Sequence, residues 1–117
     1  MDEAVRELEG QLAAAPFLAP DAERLMALRL TPVEIAAAER AGRLVRLAPG
    51  VVLAPQAVRL ARQELGGLAQ PFTAGEARER LGTTRRVVIP LLERLDREGL
   101  THRLPDGRRE VRGGASG

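Results

Sequence analysis

Thr84-Arg85-Arg86 is the cluster in this 117-residue chain whose residue types and position invite chemistry. It falls at the start of a stretch in which Val88, Leu91, Leu92 and Leu95 recur at helical spacing. A helix N-terminus carries partial positive charge and open N–H groups, so arginines there are mildly unfavourable in isolation. An approaching phosphate reverses that balance, because dipole, N–H groups, hydroxyl and guanidiniums converge on it. The bland alternative leaves both arginines in solvent, or paired with Glu79 or Glu93.

A second basic group surrounds Asp106-Gly107, a strong two-residue hairpin signal. A two-residue turn sets Pro105 opposite Arg108, Leu104 opposite Arg109, Arg103 opposite Glu110 and His102 opposite Val111. Directly opposed residues share a face, so Arg103 is drawn to Glu110 as readily as to a ligand. Arg108 and Arg109 lie at the tip with no obvious acidic partner beyond Asp106. His102 opposite Val111 reads as a half-buried packing residue. Pro90, inside the helix, removes one backbone hydrogen bond, that to the Arg86 carbonyl. It is either tolerated strain or a kink that aims the Thr84–Arg86 turn at a partner.

Catalysis finds no support. His102 is the only histidine and there is no cysteine. No zinc-protease, nucleophile-elbow or phosphate-binding glycine motif occurs. The carboxylate pairs Glu76/Glu79 and Asp96/Glu98 sit among arginines on what read as solvated helix faces. The expectation is a non-enzyme with no catalytic residue, no metal and no cofactor.

Charge is unevenly placed. Residues 1–55 carry 6 arginines against 8 carboxylates, net −2, and residues 56–117 carry 12 against 8, net +4. An anionic partner for the C-terminal half follows. Every cation is arginine, which forks phosphate bidentately and stays charged. Phe17 and Phe72 are the only aromatic residues. That excludes single-strand binding on several stacked aromatic platforms and leaves backbone, groove and shape as the means of recognition. Absence of cysteine excludes disulfides and fits a reducing compartment. No signal peptide and no apolar run of membrane-spanning length is found, so a cytoplasmic protein without a membrane partner is expected.

The elements that position the basic residues occur twice. Asp2–Ala15 reads as a helix through Val5, Leu8, Leu12 and Ala15. Asp21 caps Ala22–Arg29, whose Leu25, Met26 and Leu28 can face a core. Thr31-Pro32 opens a third helix to Arg40, with Glu34 in its first turn. Leu44–Leu47, a Pro49-Gly50 turn and Val51–Leu53 form a hairpin. The pattern then restarts. Gln56–Leu65 is a helix with Val58, Ala61 and Leu65 inward, and Pro71-Phe72 is a short extended piece. Thr73 and Glu76 form a capping box for Ala74–Leu81. Thr83 or Thr84 caps Arg85–Glu98, and Leu100–Arg112 is the wing. The fold class expected is mainly α with small β-hairpins (α+β), as two tandem winged-helix domains of helix-turn-helix type. Residues 1–54 make the first domain and 55–112 the second, rigidly joined, with 113–117 a disordered tail.

Gly82-Thr83-Thr84-Arg85-Arg86, Pro90-Leu91-Leu92-Glu93-Arg94-Leu95-Asp96-Arg97 and Gly99-Leu100-Thr101-His102-Arg103 together resemble the last winged helix of bacterial selenocysteine-specific elongation factors, SelB. Gly42-Arg43-Leu44-Val45-Arg46 and Pro55-Gln56-Ala57-Val58 resemble the family's penultimate winged helix and its passage into the last. The resemblance implies a C-terminal fragment of a translation elongation factor. In the family this region binds the selenocysteine-insertion (SECIS) hairpin of the messenger RNA and tethers the factor for UGA recoding. The full-length factor is a GTPase, and no GTPase motif lies in this chain. By motif, the implied RNA-binding residues are Thr84, Arg85, Arg86, Arg103, Arg108 and Arg109. Arg86 stands where lysine is frequent, and Val87-Val88-Ile89 replaces Tyr-Ala-Leu. The implied partners are an mRNA stem-loop and, through the full-length factor, ribosome or tRNA, for which Arg43 and Arg46 are the first domain's candidates. The fragment is expected to be monomeric.

Two other readings compete. A winged-helix DNA-binding regulator would lay Arg85–Asp96 in the major groove. Its outward face, read as Ile89, Glu93, Asp96 and Arg97, lacks the usual base-reading amides. A protein-interaction module would expose an apolar patch, for which Val87 and Ile89 are the candidates.

Overall fold

The structure, a computed structural model, describes residues 2–112. The tail 113–117, expected to be disordered, lies outside them. The chain divides into two compact units, Met1–Ala57 and Val58–Gly117. Among the described residues the class is α+β, with six helices and two small antiparallel hairpins.

The first unit contains α1 (Asp2–Ala14), α2 (Ala22–Ala27), α3 (Pro32–Arg40), β1 (Val45–Ala48) and β2 (Val51–Leu53). Val5, Leu8 and Leu12 are buried on one stripe of α1, as their spacing dictates. Asp21 caps α2 by accepting from the Arg24 N–H at 2.8 Å. Thr31 and Glu34 close a full capping box on α3, with Pro32 in its first turn. The hairpin pairs Val45 with Leu53 and Arg46 with Val52, then shifts register so that Ala48 meets Val51. All three residues of β2 are buried. Leu25 and Leu28 face the core, but Met26 does not: it is 76% exposed. In a six-residue helix the apolar stripe has room for Leu25 and not for its neighbour, which lies a third of a turn away.

The second unit contains α4 (Ala57–Leu65, beginning one residue before the division), α5 (Ala74–Leu81), α6 (Arg85–Arg97), β3 (Thr101–Arg103) and β4 (Arg109–Val111). Val58, Ala61 and Leu65 are buried, and Thr73 with Glu76 closes the expected capping box on α5. α6 buries Val87, Val88, Leu91, Leu92 and Leu95, and it runs through Pro90 without a break. Phe72 is 1% exposed and lies in an antiparallel bridge with Arg109.

The wing differs from the sequence-based expectation by one residue. Thr101 pairs with Val111, His102 with Glu110 and Arg103 with Arg109. Leu104 donates to the Arg108 carbonyl at 2.7 Å, and Gly107 donates to that of Leu104 at 2.9 Å. The loop is therefore Pro105-Asp106-Gly107. Pro105 decides this, since its fixed φ suits the second position of a β-turn. Gly107 then takes φ +92, the left-handed residue that closes a three-residue hairpin loop. A two-residue turn would instead have needed Asp106 at positive φ.

Slipping register by one exchanges the faces of the strand. Thr101, not His102, is the buried partner of Val111, and His102 stands exposed opposite Glu110. Arg109 turns inward and is 6% exposed. Two expectations for α6 are corrected as well. Asp96 lies inward, where it meets the wing, rather than on the solvated face. Val87 is buried and Ile89 half-buried, so neither forms an exposed apolar patch.

Candidate nucleic-acid interface

The site begins at the N-terminus of α6. Gly82 ends α5 in the left-handed conformation, φ +63, and gives its N–H to carbonyls of α5. Thr83 is buried, and Thr84 takes the extended N-cap conformation, φ −111 and ψ 164. Its hydroxyl makes no cap hydrogen bond. Of the two threonines expected to cap α6, Thr84 holds the N-cap place without a side-chain bond, while its carbonyl accepts from Val87 and Val88 at 3.1 and 2.9 Å.

The cause is visible in the side chains. A capping box needs Glu or Gln three residues after the cap. That position is Val87 here, 2% exposed and committed to the core. Arg85 and Arg86 fill the two places between, both exposed. The first turn of α6 thus has two guanidiniums and a hydroxyl not used for capping, with no acidic residue in it. Such an end favours an anion.

The wing supplies further cations. Arg103 is exposed on β3. Arg108, its side chain 46% exposed, folds back on the turn, with Nε 2.8 Å from Asp106 Oδ2 and its backbone N–H 2.9 Å from Oδ1. These two bonds, the backbone one first, hold the Asp106 carboxyl below the usual carboxylate range. A phosphate reaching Arg108 competes with Asp106 for its Nε and finds the other guanidinium edge available.

Arg109 does different work. Its guanidinium meets Asp96 at 2.9 Å through Nη2 and at 3.0 Å through Nε. Asp96 Oδ1 also accepts from the Thr101 hydroxyl at 2.6 Å. The backbone of Arg109 exchanges hydrogen bonds of 2.8 and 2.9 Å with Phe72. Arg109 is therefore a packed residue joining helix and wing, not an exposed tip residue. The sequence held a signal for this: Asp96 continues the Val88–Leu92 row at steps of four, the inward side of the helix.

In the first unit, Arg43 is engaged by carboxylates of α1. It bonds Glu9 at 2.9 and 3.2 Å and also pairs with Asp2. Its hydrogen bonds depress the pKa of both acids, and they raise that of Arg43 in turn. Arg46 is exposed. Among the described residues no cluster of three or more acidic or histidine side chains could hold a metal, and no helix is long and apolar enough to cross a membrane.

Three helices, a basic wing and an open, arginine-flanked helix N-terminus define the second unit as a winged helix. Residues 63–109 match the family model described as "Elongation factor SelB, winged helix". Over 95% of its length the chain superposes on a bacterial selenocysteine-specific elongation factor, EF-Sec, with 27% identity and a TM-score of 0.72. It spans 18% of that factor's length. The mRNA-binding domain of SelB from E. coli, solved in complex with SECIS RNA, shares the fold with a TM-score of 0.63 at 18% identity. That match covers 97% of this chain and the whole of that domain. No curated protein matches the sequence. The resemblance to the C-terminal winged-helix region of SelB holds in both the family model and the solved structures.

Proposed function

We propose that this chain is the RNA-binding C-terminal part of a selenocysteine-specific elongation factor and grips a SECIS-type mRNA hairpin. The observation that carries the reading is the open N-terminus of α6, with Thr84, Arg85 and Arg86, inside the segment that matches the SelB family model. A helix end of this kind takes a backbone phosphate, and Arg103 and Arg108 of the wing add further phosphate contacts. The region carries no aromatic platform, so a hairpin held by its backbone, with a loop or bulged base read locally, fits it best.

In this reading the chain is a tandem pair of winged helices. Residues 1–54 act as a net-acidic spacer and residues 55–112 as the RNA-binding domain. Binding and tethering are the chain's task; no catalytic residue, metal or cofactor takes part in it. The whole factor would bring GTPase domains, ribosome and tRNA, and would work in the cytoplasm.

The test titrates the chain with a bulged stem-loop RNA and with duplex DNA of equal charge, across salt concentration, beside Arg85→Ala/Arg86→Ala. Preference for the hairpin that survives moderate salt and collapses in the double variant is expected. Equal, steeply salt-dependent binding to both would reduce the site to general phosphate attraction and overturn the reading. Preference for the duplex would move it to a DNA-binding regulator.

A further inference from the structure

We infer that Asp96 is a positioning residue for RNA binding, acting through a clamp with Arg109 and Thr101 that holds the wing against α6. The inference rests on the proposed RNA-binding role. Asp96 is the next-to-last residue of α6 and accepts from both strands of the wing, from Thr101 on β3 and from Arg109 on β4. Arg109 is also the point where the wing is stitched to Phe72, through both of its backbone groups. One carboxylate thus fixes a two-stranded hairpin that would be marginal by itself. Its side chain is 25% exposed and that of Arg109 is 7% exposed, so solvent screens the pair little.

The neighbours of the clamp are the cations that reach solvent. Arg108 directly precedes Arg109, and Arg103 is paired with Arg109 across the strands. Fixing Arg109 therefore fixes the backbone from which both exposed guanidiniums extend. Preorganised contacts bind more tightly because less conformational freedom is lost on association.

Asp96→Asn gives a test in which two explanations differ in sign. It removes a negative charge and releases the Arg109 guanidinium, so electrostatics alone strengthens RNA binding. Loss of the clamp weakens it instead, by about tenfold, within the range expected for coupling between linked sites. The measurement is affinity of the full chain for the bulged stem-loop RNA, at a temperature where circular dichroism shows each variant folded. Amide hydrogen exchange of residues 101–111 is followed in parallel. The expected result is weaker binding, faster exchange confined to the wing, and no further loss when Asp96→Asn is added to Arg103→Ala/Arg108→Ala. Unchanged or tighter binding with unchanged wing exchange would overturn the inference. So would an equal loss in the Arg103→Ala/Arg108→Ala background, because the effect would not pass through the wing. Should Asp96→Asn not fold, Thr101→Val removes one hydroxyl bond and carries the same expectation at about twofold to threefold. If the unaltered chain fails to bind the RNA, the proposed function falls. Wing exchange then decides the clamp alone, and protection equal to the unaltered chain rejects it.

Discussion

At the start of α3 the Thr31 hydroxyl accepts from the Glu34 N–H, and the Glu34 carboxylate returns to the Thr31 N–H. At the start of α6 the same two places are held by Thr84 and Val87, and the hydroxyl makes no such bond. Both helices follow a short helix, both open on threonine, and both lead into a two-stranded hairpin. The first brings its own anion to the helix end and also has a proline in its first turn. The second gives the box position to the core and places arginines between. An end already neutralised by its own carboxylate has little left for a ligand, whereas an end flanked by cations gains most when an anion arrives. The two units also differ in net charge, −2 for the first and +4 for the second. On the proposed function, the first unit is a spacer and the second the binding surface.

The comparison can be broken most forcibly at the phenylalanines. Pro16-Phe17 and Pro71-Phe72 occupy equivalent places, yet Phe17 is half-buried while Phe72 is fully enclosed and bridged to Arg109. Phe72→Ala is expected to destabilise its unit by about 3–5 kcal/mol and Phe17→Ala by about half as much or less, measured by urea unfolding. Equal losses would mean that the two segments do the same work.

Next in size is the arginine pair. Arg85→Ala/Arg86→Ala removes two charge-assisted contacts worth about 1.5 kcal/mol each, a loss of about a hundredfold in affinity for the stem-loop RNA. Arg43→Ala/Arg46→Ala in the first unit is expected to stay within about twofold. A comparable loss from both would place RNA on both units.

The caps give a smaller and sharper contrast. Thr31→Ala and Thr73→Ala should each cost about 1 kcal/mol of stability, because each hydroxyl holds a helix amide. Thr84→Ala should cost less than about half of that, and its effect should appear in RNA affinity instead. A full stability cost for Thr84→Ala would show that its hydroxyl caps after all.

The smallest expected effect lies at the ends of the second helices. Gly82 closes α5 at φ +63, and Arg29 takes φ +61 just after α2. Arg29→Gly is expected to stabilise by a few tenths to about 1 kcal/mol, while Gly82→Ala costs about 1 kcal/mol for the same strain. A cost for Arg29→Gly would mean that the arginine side chain holds the turn by contacts that outweigh its backbone.

Much of this was legible in the residues. The stripe Val88-Leu91-Leu92-Leu95, the Thr73–Glu76 box and the glycine stops follow from local rules, since helix period, capping and left-handed φ each involve a few neighbouring residues. The family resemblance was legible too, through the run from Gly82 to Arg103. The wing was legible as a hairpin but not in register. Asp106-Gly107 signalled one turn and Pro105 another, and proline's fixed φ prevailed. That single step moved Arg109 from tip to interior and His102 from interior to surface. Asp96, Thr101 and Arg109 therefore emerged as a group only when α6 and the wing were seen together.

The amino-acid sequence alone determined which segments are helix or hairpin, where most helices start and stop, and that the basic charge gathers in the second half. These are sums over neighbours along the chain, and they need no folded partner to be read. Tertiary structure decided where each arginine is placed and which carboxylates it meets. Arg43 is held by α1, Arg108 leans on its own turn and Arg109 is buried against Asp96, while Arg85 and Arg86 lie exposed in the first turn of α6. A guanidinium on a long flexible stem takes whichever carboxylate the fold brings near, and that choice is made across 13 residues for Arg109 and 34 for Arg43.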